Sequence, residues 1–452
     1  MDAELTLEEL SARTGEPAEA LRRWRQLGLI GAAGKRIRPE DVERARLVQM
    51  LLRRGISLEA IEKAEREGRL LGRNLELMFP EGPSETYSLA EVAEMVGLDL
   101  EFVRKFWIAA GLGDQGELAR EEDVEAFRTM KTLREIGLPE EALLEGARVY
   151  SDALTRVAEM ESRTFHFYVH ERLKAEGVTG DALLAATTTA GDRAAPLIEP
   201  SLLYFHRKGW ERAIREDTAL HMAEEAGLVE KGKSPGEMTS AVAFVDLSSF
   251  TPLAEAMGDL KAAEVLERFS ALVRESAARW EGRVVKQIGD AFMLVFPDAR
   301  SAVACALEIE TRTAEEPQFP AARSGIHRGQ VLYREGDYVG SNVNIASRVA
   351  AEAQRHQVLV TDAVRKEAKT LPGVEFVPLG KRRLKGLASE LVLFEARPAG
   401  AAGREKHVDP VCGMEMTPDE VAARLTLDGV EHCFCSDDCL RKYVAAPERY
   451  AT

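Results

Sequence analysis

Asp246 and Asp290 lie in AFVDLSSFT and VVKQIGDAFMLVF. These segments place one carboxylate at the end of an apolar strand and the other in the turn of a β-hairpin. Two carboxylates so placed are the oxygen donors that a pair of Mg²⁺ ions needs to clamp a nucleotide triphosphate. The same region supplies Lys286, Asp337, Asn344 and Arg348 at spacings that complete a nucleotide-handling set. A second chemical group sits near the C-terminal end, where Cys412, Cys433, Cys435 and Cys439 crowd together while Cys305 lies in an apolar helix-like run. Such clustering argues for metal or redox chemistry over a disulfide framework. CxxxC at 435–439 sets two thiols one helical turn apart and Cys412 can approach from the preceding loop. Three thiolates suit Zn²⁺ or Cu⁺, with His432 or His407 as a fourth ligand; Cys433 leaves the ligand count open.

The elements that must carry these residues divide the 452-residue chain into several domains. From 239 to 397 strands and helices alternate, from SAVAFVDL through KAAEVLERFSALVRESAARW to LVLFEA, which reads as an α/β or α+β sandwich. Upstream, residues 5–67 read as short helices punctuated by Gly15, Gly28 and Gly55. A second copy follows about 82 residues on: SLAEVAEMVG at 88–97 repeats TLEELSARTG at 6–15. Helical periodicity continues from about 138 to 230. This stretch holds His166, His170, His206 and His221, side chains able to answer pH. Residues 231–239 form a polar joint, and 397–407 have linker composition that separates the last domain.

Charge sets limits on partners. The net charge of -16 makes the whole molecule a poor polyanion binder. Arg22, Arg23 and Arg25, with Lys35, Arg36 and Arg38 after them, could still meet DNA phosphate from residues 1–70. The second copy carries Glu117, Glu121, Glu122, Asp123 and Glu125 there, which repels DNA and favours protein contact. No apolar run is long enough to span a membrane, and MDAELTLEEL lacks the layout of a signal peptide. A cytoplasmic location is therefore expected.

Four resemblances sharpen this reading. Both N-terminal copies resemble the winged helix-turn-helix of MerR regulators, the first over 1–70. Within 82–230, YSLAEVAEMVGLDLEFVRKFW, ALTRVAEM and WERAIRED resemble the helical autoinhibitory domain, in some members pH-responsive, of certain bacterial adenylate cyclases. Residues 238–398, with FVDLSSFT, KQIGDAFM, ARSGIHRG, GDYVGSNVNIASRV and LKG in order, are similar to the class III nucleotidyl cyclase catalytic domain. Residues 407–452, through DPVCGM, FCSDDC and PERY, resemble the YHS domain, a small metal-associated module. The fold class implied is an all-α N-terminal half, an α/β ferredoxin-like catalytic domain and a small Cys-rich α+β module.

The cyclase resemblance implies conversion of ATP to 3′,5′-cyclic AMP and pyrophosphate. It places two Mg²⁺ or Mn²⁺ ions on Asp246, Asp290 and the backbone carbonyl of Leu247, and β- and γ-phosphates on Arg323 and Lys385. Asn344 would fix the ribose and Arg348 clamp the reacting phosphate. It assigns base reading to Lys286 and Asp337, which suit adenine: lysine donates to N1 and aspartate accepts from the exocyclic amine. Guanine-specific members carry Glu and Cys there. It also implies a head-to-tail homodimer with composite sites. The alternatives are a MerR-type transcription regulator using the cyclase domain as a nucleotide sensor, and a guanylate cyclase.

Overall fold

The computed structural model describes residues 5–31, 37, 40–66, 86–113, 118–227, 229, 231–316, 319–387, 389–400, 406–427 and 429–450. The chain divides into two compact units, Met1–Glu211 and Arg212–Thr452.

In the first unit the sequence repeat is a structural repeat. Helices α1 (Leu7–Thr14), α2 (Ala18–Gln26), α3 (Glu40–Arg53) and α4 (Leu58–Arg66) form the first copy. The second begins with strand β1 (Thr86–Ser88), α5 (Leu89–Val96) and α6 (Leu100–Ala109). It continues with β2 (Leu118–Arg120), α7 (Glu121–Glu135) and α8 (Glu140–Phe165). Both copies open on a capping box, Thr6 with Glu9 and Ser88 with Glu91, and their first helices end on left-handed Gly15 and Gly97. These caps satisfy backbone groups that a helix end leaves unpaired. The β1–β2 pairing of Tyr87 with Ala119 has its counterpart in a single bridge between Leu5 and Ile37. Buried Leu10, Leu21 and Trp24 correspond to Val92, Val103 and Phe106, so the two small cores are built alike. After α8 a π-helical turn (His166–Glu171) leads to α9 (Arg172–Ala175) and the long α10 (Gly180–Glu225).

The second unit is built on an eight-stranded sheet. Its elements are β3 (Glu237–Leu247), α11 (Phe250–Met257), α12 (Asp259–Arg279), β4 (Arg283–Ile288), β5 (Ala291–Phe296) and α13 (Ala299–Glu315). They continue with β6 (Ala322–Arg334), β7 (Asp337–Val339), α14 (Ser341–Glu352), β8 (Val358–Thr361), α15 (Asp362–Ala368), β9 (Val374–Arg382) and β10 (Leu391–Pro398). The strand order is β4-β5-β3-β6-β8-β10-β9, with β7 paired to β6. Alternation along β3 sets the two faces. Ala241, Ala243, Val245 and Leu247 enter the larger core with α11, α12, α13 and α15, while Val242 and Phe244 meet Val343 and Ala346 of α14 on the other side.

The C-terminal module consists of the two-stranded pairs β11 (His407–Val408) with β12 (Glu415–Met416) and β13 (Ala423–Leu427) with β14 (Val430–Phe434), and helix α16 (Asp437–Ala445). Linker composition predicts a separated domain, but the module is packed into the catalytic core. Val411, Met414, Phe434 and Tyr443 belong to the same apolar cluster as Leu253 and Phe269. Charged groups frame this junction. Lys406 Nζ donates to the Ala314 carbonyl at 3.1 Å and lies 3.4 Å from Glu415. His356 stands between Glu310, at 3.0 Å from Nδ1, and Glu415, which meets Nε2.

Burial of the His356 ring opposes its charge, but Glu310 and Glu415 outweigh it and hold its pKa up at about 9. A pKa raised in the folded state stabilises fully below the ordinary imidazole value of 6.5 and loses that contribution as pH rises through about 9. His356→Gln should therefore cost roughly 2–3 kcal/mol of stability at pH 6 and little at pH 10. Thermal unfolding of both proteins at the two pH values checks this; an equal loss at both would refute the charged clamp.

Candidate active site

Asp246 occupies the penultimate position of β3, on the face shared with Val242 and Phe244, while buried Leu247 points the opposite way into the core. Its ladder partner is Arg323 at the start of β6, so both side chains emerge from the same face of the sheet. The guanidinium holds Asp246 Oδ2 through Nη2 at 2.6 Å and Nε at 3.1 Å. Asp290 stands in the β4–β5 turn, directly after Gly289 at φ 63°. Burial, then the charge of Asp246 and a hydrogen bond with it, push the Asp290 carboxyl up to about 6. Two carboxylates pressed together in a half-buried cleft repel one another unless a cation is shared between them. Hard oxygen donors in this arrangement fit divalent magnesium or manganese.

Beyond β3 the chain turns sharply. Ser249 has φ 62° and caps α11. A cavity of about 480 Å³ opens there, lined by Ser248, Ser249, Arg323, Ala353, Gln354 and Arg355. Sequence reasoning missed Arg355, which follows α14 with no recognisable motif.

Lys286 of β4 and Asp337, the first residue of β7, form an ion pair. The second Asp337 oxygen accepts from the Tyr338 amide at 2.8 Å, which fixes the carboxylate. Asn344 and Arg348 lie one turn apart on the exposed face of α14, opposite buried Val343, Ala346, Val349 and Ala350. That helix is set by His327, a buried ring between Thr361 Oγ1 and Asn342 Oδ1, each at 2.9 Å. Burial lowers the His327 pKa, consistent with a neutral positioning group. His327 stands within ARSGIHRG, but only the cross-strand and helix contacts reveal what it does. Lys385 is exposed after β9, close in sequence to exposed Arg382 and Arg383. The structure therefore brings the predicted residues together in sets: Asp246, Asp290 and Arg323; Lys286 and Asp337; Asn344 and Arg348; and Lys385. Among the described residues no hydrogen bond or ion pair joins one set to another.

In the module, Cys412 Sγ lies 3.5 Å from Cys435 Sγ, which lies 3.8 Å from Cys439 Sγ. The fourth position near them belongs to Asp409. This corrects the expectation of a histidine: His432 Nε2 is 3.1 Å from Tyr443 Oη, and His407 pairs with Met416 in β11–β12. Cys433 also stands apart, with its sulfur facing Arg424 and Glu431. Asp409 ties the cysteine loops together, accepting from the amides of Val411 at 2.8 Å, Cys412 at 3.3 Å and Cys435 at 2.8 Å. Hydrogen bonds from Cys412 and Cys435 pull the Cys439 thiol down to about 2, and Cys412 is pushed up in return. One thiolate supported by two thiols and a carboxylate is a donor set suited to a soft cation.

On the N-terminal helices Arg22 and Arg23 are exposed, and Arg23 lies 4.0 Å from Glu59. Lys35, Arg36, Arg38 and Glu117 lie outside the described residues. The rings of His166 and His170 stack at 5.1 Å beside Glu171. No described helix is long and apolar enough to cross a membrane.

Paired carboxylates at a strand end and a hairpin, linked through Arg323 to a cavity with arginine and serine in its wall, are a donor set suited to a divalent cation beside a phosphate group. Comparison with known proteins agrees. Residues 36–205 match the adenylate cyclase regulatory domain, 234–395 the adenylate and guanylate cyclase catalytic domain, and 407–452 the YHS domain. A pH-sensitive adenylate cyclase of Mycobacterium tuberculosis is 30% identical over 382 residues, 82% of this chain and 91% of that one. An adenylate cyclase of Streptomyces coelicolor is 31% identical over 295 residues, 63% and 72% of the two chains. The adenylyl cyclase CyaB from P. aeruginosa superposes with a TM-score of 0.32 at 20% identity, over 37% of this chain and 96% of its own. The chain belongs to the class III adenylate cyclases. Its regulatory domain matches from residue 36, and so reaches into the first helical copy.

Proposed function

We propose that this chain cyclises ATP at two equivalent composite sites of a head-to-tail homodimer. The observation that carries the reading is the closeness of Asp246 and Asp290 beside Arg323, with Asn344 and Arg348 displayed apart from them on an exposed helix face. Mg²⁺ or Mn²⁺ held by both carboxylates and the Leu247 carbonyl would acidify the ribose 3′-hydroxyl and neutralise the leaving pyrophosphate. Arg348 from the opposite protomer places a guanidinium where charge accumulates on the α-phosphate, and Asn344 orients the ribose. Arg323 and Lys385 hold the outer phosphates. Exposed Ile288 and Val339, next to the metal turn and the base-reading strand, are apolar side chains suited to burial between protomers. Regulation has a physical entry, since Arg212 of α10 donates to the Gly282 carbonyl just before β4 at 2.9 Å.

Composite sites make a definite prediction. Asp290→Ala and Arg348→Ala should each be inactive alone. Re-mixed in equal amounts they should recover about a quarter of wild-type cyclic AMP production, because half of the dimers hold one intact site of two. No recovery on mixing would sink the shared-site arrangement.

Lys286 and Asp337 pair with each other and can instead pair with N1 and the exocyclic amine of adenine, a pattern that guanine reverses. Lys286→Glu combined with Asp337→Cys should lower kcat/KM for ATP by about 100-fold or more and raise it for GTP. Steady-state assays with both nucleotides decide this; an unchanged preference for ATP would remove these residues from base reading.

Cys412, Cys435, Cys439 and Asp409 would hold one Zn²⁺ or Cu⁺ ion in the module. Metal analysis of the full chain should find about one equivalent in wild type and Cys433→Ser and a loss in Cys439→Ser. A metal-free wild type, or loss with Cys433→Ser alone, contradicts the assignment.

A further inference from the structure

The cavity next to the paired carboxylates is lined in part by Arg355, which the cysteine module holds. Arg355 Nη1 donates to the Gly413 carbonyl at 2.8 Å and Nη2 to Ser249 Oγ at 2.6 Å. Gly413 follows Cys412 directly, and Ser249 stands three residues after Asp246. One guanidinium thus ties the module to the turn that leaves the metal-binding strand. The fit is close: a Cβ on Gly413 would stand 2.4 Å from Ser249 Cβ and 3.0 Å from Arg355 Nη2. Gly413 also has φ 73°, which other residues resist.

The cavity wall carries the guanidinium groups of Arg323 and Arg355 and the hydroxyls of Ser248 and Ser249, with no acidic side chain in its lining. Ser248 is only 7% exposed, and its Oγ has no hydrogen-bond partner. A buried hydroxyl without a partner is costly unless a ligand supplies one. Arg323 holds Asp246 through Nε and Nη2 and keeps donors for the cavity, and Glu415, 3.9 Å from Arg355, is shared with His356 and Lys406. Arg355 keeps further N–H donors beyond the two bonds that fix it. Basic, hydroxyl-lined and adjacent to a divalent-metal site, the cavity has the chemistry of a polyphosphate pocket.

We propose that Arg355 binds the terminal phosphates of ATP and the pyrophosphate product, and that the cysteine module holds it in position through Gly413. This rests on Asp246 and Asp290 marking the ATP site. The module is then a support for the phosphate-binding side of the active site as well as an appended domain.

The test uses the full chain and reads KM for ATP, kcat, and inhibition by inorganic pyrophosphate. Arg355→Met should raise KM and the pyrophosphate inhibition constant together by about tenfold, the effect of losing one charge-assisted contact. Its kcat should change by less than about threefold, because ground-state binding is what is removed. Arg355→Lys, which keeps the charge, should recover part of both losses. Gly413→Ala, which removes no phosphate-binding side chain but crowds Ser249 and Arg355, should shift both constants in the same direction. Unchanged constants in Gly413→Ala overturn the module's share. Unchanged constants in Arg355→Met, while Arg323→Met raises them, overturn the inference alone. If Arg323→Met also leaves them unchanged, the cavity is not the phosphate site and the underlying reading falls with it.

Discussion

Two carboxylates forced together at the end of a strand are the constraint from which the rest of the catalytic unit follows. Asp246 and Asp290 come from β3 and the β4–β5 turn, and the pairing of β3 with β5 in the sheet's interior brings the two together. Burial, and after it the charge of Asp246, raises the Asp290 pKa. Arg323, opposite Asp246 in the ladder, offsets part of it and commits the start of β6 to the site. Every further charged group nearby has to balance this negative centre or bind what it attracts. The cavity beyond Ser248 carries the opposite character, with the guanidinium groups of Arg323 and Arg355 and no acidic side chain in its lining.

The remaining functional groups are displayed outward. Asn344 and Arg348 have no side-chain hydrogen bond to any described residue, although their helix is anchored by buried Val343, Ala346 and Val349 and by the His327–Asn342 contact. The helix backbone is thus fixed while the Arg348 guanidinium on its exposed face keeps all its donors. Lys286 and Asp337 differ in being paired with each other, with the second Asp337 oxygen held by the Tyr338 amide.

Residues that interact along one strand or through one helix were legible in the sequence. The apolar run before Asp246, the hairpin around Asp290 and the four-residue spacing of Asn344 and Arg348 all carry local periodicity, and the structure reproduces it. The 82-residue repeat was equally legible, and the structure adds that both copies open on a capping box. Contacts between distant segments were not. His327 reads as one residue of a strand until Thr361 and Asn342 close on it, and Arg355 reads as a loop residue until Gly413 does. Asp409 was passed over for histidine because DPVCGM gives no sign that its carboxylate binds amides from two separate loops.

The linker composition of 397–407 misled for a related reason, which concerns how much core a short segment can make. A domain of fewer than about 50 residues buries too little apolar surface to be stable alone without a metal, disulfides or a neighbour. This module uses the neighbour: Phe434 and Tyr443 complete a cluster that contains Leu253 and Phe269 of the catalytic domain. A boundary in composition is therefore not a boundary in energy. Because the cysteine loops are folded against α11 and the residues after α14, a change in their packing changes the environment of Ser249 and Arg355 without crossing any hinge. The cysteine loops and the cavity thus meet at one side chain, Arg355.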